Sequence, residues 1–437
     1  MNIRISSFRL SLGAIITSLI LSTSLCKAQV RSTLFFDKDS VRHKAQVEEI
    51  IKKMTLREKV AQLFVISISR NPSAKTRASQ DSLIRDYGVG NIIIMRGPIH
   101  EFMERANYLQ KLARYPLLVA TDAEWGAAMR FYEYLPYPRQ AQLARIEKGA
   151  EKLLYKMGRN VGKELLDLNI YVNYAPVADV APANLETFSQ RAFSHDPKQI
   201  SALANAYMKG MQDEGIYACA KHYPGHGGSS VDAHYEMPVL TQTRAYMDSV
   251  DLYPYTTMFA NGLEMVMIGH YSVPSIDPSG NPTSISGILM NDVLRRDQGF
   301  KGVVITDAIA MKGLTNSKRG PIEAVLGVYK AGADMILMPE KPAKCIEAIT
   351  EKLEKGEWSV AELDKKVYNV LMLKARAGFF EKGFNPEVKN LDRKIAAARK
   401  RDYRLIKRMQ RKMLKSSKPY IAPTGDDRTL ILDRAGK

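Results

Sequence analysis

Eight short apolar runs recur along the chain, separated by longer and more polar stretches. They are Val60–Ile66, Gly90–Met95, Pro116–Thr121, Ile170–Ala175, Ile216–Ala220, Met265–Gly269, Gly302–Thr306 and Ala333–Met338. The runs are rich in Val, Ile, Leu and Met, with little polar alternation. Strands of that kind are covered on both faces, as in a parallel sheet flanked by helices. Glu147–Leu168, Pro197–Glu214, Thr243–Asn261 and Gly320–Lys330 read as helices between the runs, and Lys344–Lys355 and Val360–Ala377 as helices after the last. Eight strand–helix repeats allow a (β/α)8 barrel or a doubly wound open sheet.

The residues that follow the runs separate these two. Asp122 and Glu124 follow the third run, Asp179 the fourth, Lys221 and His222 the fifth, His270 the sixth and Asp307 the seventh. A barrel gathers its chemistry from many strand ends. An open sheet concentrates it at one switch point. No GxGxxG opens a helix after the first run, so a dinucleotide site has no support. The expected fold is therefore α/β, a (β/α)8 TIM-type barrel.

Lys221–Pro238 reads KHYPGHGGSSVDAHYEMP and holds three of the chain's seven histidines. Pro224, Gly225, Gly227 and Gly228 mark it as a loop that can turn sharply against a ligand. Two chemistries fit these residues. His222, His226, Asp232 and His234 could ligate zinc or iron. Alternatively, Asp232 could fix the tautomer of His234 and leave its other ring nitrogen to trade a proton. Lys301–Met311 (KGVVITDAIAM) places Asp307 at the end of a buried strand. That position suits a rigid nucleophile and equally suits the N-cap of a following helix.

The ends of the chain differ from its body. Arg4 and Arg9, the apolar run Leu10–Leu25 and the small residues around Cys26-Lys27-Ala28 form the pattern of an export signal, with residues 1–28 removed. Lipidation of Cys26 is a second reading, disfavoured by the bulky Leu25 before it. Cys219 and Cys345 would then remain, too few for a disulfide framework. The net charge is +18, and Asn390–Lys418 carries twelve Lys and Arg against two Asp. Residues 29–384 are thus the expected barrel domain, and 385–437 a basic, helix-compatible extension without its own core. A solvated basic helix is the plain reading of that tail. For an exported chain, an anionic wall polymer or membrane surface is a more plausible partner for it than nucleic acid.

KHYPGHG…VDAHYEMP and KGVVITDAIAMKG closely resemble the signature segments of glycoside hydrolase family 3, in the branch of bacterial β-N-acetylglucosaminidases. The resemblance runs from Met54 to about Phe380 and includes PLLVATDAEWG (Pro116–Gly126), NYAPVADV (Asn173–Val180) and Arg191-Ala192-Phe193. It implies a barrel catalytic domain. It also implies that Asp307 is the nucleophile, His234 the acid/base and Asp232 its orienting partner. Asp122, Arg130, Arg191, Lys221 and His222 match sugar-binding positions. Two departures stand out. A frequent Glu-Gly-Gly-Arg is Glu124-Trp125-Gly126-Ala127 here, which takes one cation from the expected pocket, and the usual Asp-Ser-His is Asp232-Ala233-His234.

The activity so implied is retaining, exo-acting hydrolysis of terminal β-linked N-acetylglucosamine by a monomer, with no metal and no organic cofactor. Peptidoglycan fragments lead as substrate, ahead of chitin or host-glycan oligomers, in a periplasmic or extracellular setting. The competing readings are a β-glucosidase, a phosphorylase in which phosphate replaces water, a metal-dependent hydrolase and a silent wall-binding barrel.

Overall fold

The computed structural model describes residues 41–181, 191–226, 237–311, 314 and 319–418. The chain divides into two units, residues 1–53 and 54–437. Within the first, residues 41–52 form a helix. The expected leader, residues 1–28, lies outside the described residues. The rest of this section concerns the second unit.

Its eight strands are β1 (Phe64–Ile68), β2 (Asn91–Ile94), β3 (Leu118–Thr121), β4 (Val172–Asn173), β5 (Tyr217–Tyr223), β6 (Met265–Ile268), β7 (Val303–Thr306) and β8 (Ile336–Leu337). Each lies in one of the eight apolar runs or overlaps it. All seven hydrogen-bonded neighbour pairs are parallel, in the order β7-β6-β5-β4-β3-β2-β1-β8. The ring closes between β7 and β8 through an Ile305–Met335 bridge, with Asp334 N–H donating to Val304 O at 2.8 Å. The result is a (β/α)8 barrel. Within the strands only Ser67 is not buried, which explains their lack of polar alternation.

Two expected elements differ in extent. Val60 and Ala61 belong to a helix, Leu56–Ala61, and not to the first strand. Thr55 and Glu58 form a reciprocal capping box there, which starts a helix just before the apolar run. The stretch Thr243–Asn261 is two helices, Arg244–Ser249 and Tyr253–Ala260. Pro254 fits the first turn of the second helix but would have removed a ladder hydrogen bond from a continuous one.

The helices Ala150–Leu166 and Pro197–Gln212 pack closely on the barrel wall. A Cβ on Gly158 would stand 2.2 Å from Tyr207 O, and one on Gly210 2.2 Å from Tyr155 O. Only glycine permits that approach. At the N-terminal end of the barrel, Lys374 is fully buried and donates to Gln62 Oε1 (2.7 Å) and Gly90 O (2.9 Å). Burial pushes its amine down to about 7.

The basic extension is not a solvated helix. Its helix Leu391–Leu414 buries Ile395, Ala398, Leu405, Ile406 and Met409, and packs on Ala150–Leu166. The apolar residues recur at i, i+3 and i+4 among the cations, so one face docks while the charges line the others. Each large apolar side chain so buried contributes about 1.5–3 kcal/mol. Cys219 and Cys345 are both buried and unpaired.

Candidate active site

The C-terminal ends of the strands bring the polar residues together. β3 leads directly into Asp122, and Glu124 follows two residues later. Lys221 and His222 lie within the last turn of β5, His270 comes two residues after β6, and Asp307 directly follows β7. The Ala175–Pro176, Lys221–His222 and Tyr223–Pro224 peptide bonds are cis.

An ionic lattice forms the floor. The Lys221 ammonium sits 2.6 Å from Asp122 Oδ1 and 2.8 Å from Glu124 Oε1. Arg191 donates to both Glu124 oxygens, at 2.7 and 3.1 Å, and Arg130 pairs with the other Asp122 oxygen. Glu124 has no exposed surface and Lys221 almost none. Burial alone would raise the Asp122 carboxyl, but Lys221 and Arg130 outweigh it and hold it at about 2. Burial is likewise overcome at Glu124, which Arg191 and Lys221 hold far below the ordinary range. Both acids are thus ionised and all three cations fixed. Arg130, Arg191 and Lys221 keep further N–H donors beyond these contacts.

His222 is oriented from below. Its Nδ1 lies 2.8 Å from Asp179 Oδ2, and its backbone N–H donates to Asp179 Oδ1 at 3.0 Å. His226 N–H shares that oxygen at 3.0 Å. No described residue hydrogen-bonds the His222 Nε2. Asp251 is buried beneath Gly225, and burial together with Asp179 lifts its carboxyl to about 7.

Asp307 does not take the capping pattern, in which the carboxylate accepts from an N–H two or three residues on. Its Oδ1 accepts from Ala308 N–H, the next residue, at 2.7 Å, and its own N–H is fixed on Ile268 O at 2.8 Å. Oδ2 has no hydrogen-bond partner among the described residues, and the side chain is only half-buried. Burial works to raise this carboxyl. His222, His270, the Ala308 N–H and Lys221 outweigh it and keep it below its ordinary value. His270 is fully buried, with Nδ1 2.7 Å from Ser284 Oγ and Nε2 3.2 Å from Ala308 O. Burial lowers its basicity, against the opposing pull of Asp307.

Asp122, Arg130, Arg191, Lys221, His222 and Asp307 therefore come to one end of the barrel, as the sequence predicts. Asp232 and His234 lie outside the described residues. Glu124, Asp179 and His270 were visible in the sequence as strand-end polar groups without an assigned partner. The structure gives each one: the two cations Lys221 and Arg191, the His222 ring, and Ser284 with Ala308. Ala127 is fully buried, and its N–H donates to Glu164 Oε2 at 3.0 Å. Position 127 thus sits beside a buried carboxyl, not simply in the sugar pocket as expected. Among the described residues, no three His, Cys, Asp or Glu side chains are grouped to hold a metal ion.

Residues 55–373 match the glycosyl hydrolase family 3 N-terminal domain. The chain belongs to that family. Among similar curated proteins is a β-hexosaminidase of Nitrosospira multiformis, 31% identical over 294 residues that cover 65% of this chain and 82% of the relative. Another is a β-hexosaminidase of Neisseria meningitidis, 30% identical over 59% of this chain and 73% of its own length. Among solved structures, a family 3 β-N-acetylglucosaminidase from a Paenibacillus species superposes with a TM-score of 0.71. It is 26% identical, over 82% of this chain and 69% of the other. Asp402 and the rest of the C-terminal helix fall outside the matched residues.

Proposed function

We propose that this family 3 chain is a retaining exo-β-N-acetylhexosaminidase that removes terminal N-acetylglucosamine from exported glycans, peptidoglycan fragments first among them. The observation that carries the reading is the placement of Asp307. It is an ionised, half-buried carboxylate with one oxygen tied to Ala308 N–H and the other without a partner among the described residues, beside a lattice of fixed cations and anions.

In this reading, Asp307 attacks the anomeric carbon while protonated His234, held by Asp232, gives its proton to the leaving oxygen. The bond from Asp307 to the sugar forms as the glycosidic bond breaks. His234, now neutral, then takes a proton from water, which displaces Asp307 with net retention. The usual second carboxyl of retaining enzymes is thereby replaced by an imidazole. Asp122, Arg130, Arg191, Lys221 and His222 bind the sugar hydroxyls. Their mutual ion pairs lock them in place before substrate arrives, so little ordering is left to the reaction itself.

The test is hydrolysis of aryl β-N-acetylglucosaminides, chitobiose and muropeptides, followed by NMR of the first-formed anomer. Asp307→Ala is expected to abolish turnover on all of them. His234→Ala is expected to slow substrates with poor leaving groups far more than activated aryl glycosides. Equal loss on both kinds, or an inverted first product, would overturn the assignment.

A further inference from the structure

The helices Ala150–Leu166 and Leu391–Leu414 run side by side on the outer wall of the barrel, and a cavity of about 330 Å³ opens between them. Its charged lining comes as two rows. Lys156, Arg159 and Lys163 stand at i, i+3 and i+7 on one helix, and Arg401, Arg404 and Arg408 repeat that spacing on the other. This spacing puts each trio on a single helix face. At about 1.5 Å of rise per residue, each row is roughly 10 Å long.

These cations are under-neutralised. Glu214 accepts from Arg159 at 2.5 Å and stands 3.8 Å from Lys163, while Asp402 pairs with Arg401 at 3.1 Å. Lys156, Arg404 and Arg408 have no ion-pair partner among the described residues. Two facing rows of like charge repel each other, and a concave setting raises the local potential above that of a flat surface. An anion between the rows removes that penalty.

We propose that this groove is a binding site for a short linear polyanion carrying phosphate groups, separate from the sugar pocket at the strand ends. Three features select that chemistry. The cations lie on two opposing walls, so the diverging oxygens of a phosphate can meet both, whereas a planar carboxylate presents two oxygens in one plane. Three of the six cations are arginines of one row, and the guanidinium fork pairs with phosphate oxygens two at a time. The site is a cavity of small-molecule size, which suits a discrete chain and not the plane of a bilayer.

The test is calorimetric titration of the full chain with tripolyphosphate at low and at moderate salt. The groove variant is Lys156→Glu, Arg404→Glu, Arg408→Glu. Its control, Lys75→Glu, Lys301→Glu, Lys344→Glu, makes the same change in net charge at exposed positions elsewhere. The wild type is expected to bind one tripolyphosphate with an affinity that falls with salt. The groove variant should lose at least tenfold and the control less than threefold. Hydrolysis of an aryl glycoside should be unchanged in both. Thermal melting verifies folding, and the milder Arg404→Gln, Arg408→Gln pair should show an intermediate loss if the triple variant is unstable. Equal loss in groove variant and control would show diffuse attraction and overturn the site. So would absence of tripolyphosphate binding, or binding only to vesicles of anionic phospholipid. The binding readout does not depend on glycosidase activity, so failure here leaves the proposed function standing.

Discussion

Glu124→Gln isolates what the ionic floor contributes. The wild-type carboxylate is fully buried and receives Lys221 at 2.8 Å and Arg191 at 2.7 and 3.1 Å. Glutamine keeps the shape but removes the charge, and its amide NH2 faces one of those donors with a donor. Among the described residues, Asp122 at 2.6 Å is then the one anionic partner left to Lys221. Removing one partner of a buried charge cluster costs about 3–5 kcal/mol. Here Asp122 and entering water recover part of it, so about 3 kcal/mol is the working figure. At about 1.4 kcal/mol per tenfold, this corresponds to roughly a hundredfold in kcat/KM if the loss falls on the bound transition state. The assay is kcat/KM on an aryl β-N-acetylglucosaminide alongside thermal melting. Normal folding with a large loss of kcat/KM is expected for a positioning residue. A variant that melts lower but keeps kcat/KM within threefold would refute the reasoning, because the lattice would then support the fold without holding the sugar.

Three further substitutions probe the buried charges. Asp251 is lifted from 3.8 to about 7, so the folded state pays on the order of 4 kcal/mol once both states are ionised. The cost begins above the unfolded pKa and grows through pH 7, so Asp251→Asn should raise the melting temperature at pH 8 and not at pH 4; an equal shift at both values would contradict this. Lys374 is depressed from 10.5 to about 7, a penalty that is full below pH 7 and gone above 10.5. Lys374→Met should therefore help stability more at pH 6 than at pH 9.5, net of about 1–3 kcal/mol for Gln62 Oε1, which loses its bond while Gly90 O keeps the Leu118 N–H, and a pH-independent difference would sink the idea. Asp402→Ala strips the hydrogen bond from Tyr137 Oη (2.8 Å) and should lower stability by about 1–3 kcal/mol while raising KM; an unchanged KM would show that this helix does not steady the sugar-site loop.

The barrel was legible because its strands are buried on both faces, so composition alone marks them. Even the two-residue strands β4 and β8 lay inside readable runs. The strand ends also displayed Asp122, Lys221, His222 and Asp307. Pairing was not legible. Which cation meets Glu124, or that Asp179 fixes His222, depends on residues 43 to 99 positions apart meeting across the barrel mouth. Sequence spacing carries no such distance information. The helix start at Leu56 was missed because an apolar run masks the change of period from helix to strand, although Thr55 and Glu58 carry the signal.

The C-terminal helix was misread for a related reason. Its cations dominate its composition, but its fold is decided by the few apolar residues and by Asp402, which is fully buried. Asp402 holds Tyr137, whose N–H in turn donates to Trp125 O at 3.1 Å. Gly126, at φ +91°, sits so close to the Tyr137 ring that a Cβ would stand 2.9 Å from it. On the same side, Glu164 accepts from Ala127 N–H, and burial and Asp402 raise its carboxyl far above the ordinary range against the weaker pull of Arg401. With alanine at 127, no loop side chain neutralises Glu164. Asp402 and Arg401 of the C-terminal helix stand on the other side of that carboxyl. The loop Glu124–Arg130 is therefore gripped from two sides, by Lys221 and Arg191 within the barrel mouth and by Tyr137, Glu164 and Asp402 outside it. Ala127 and the docked basic helix thus meet at one buried acid pair, Glu164 and Asp402.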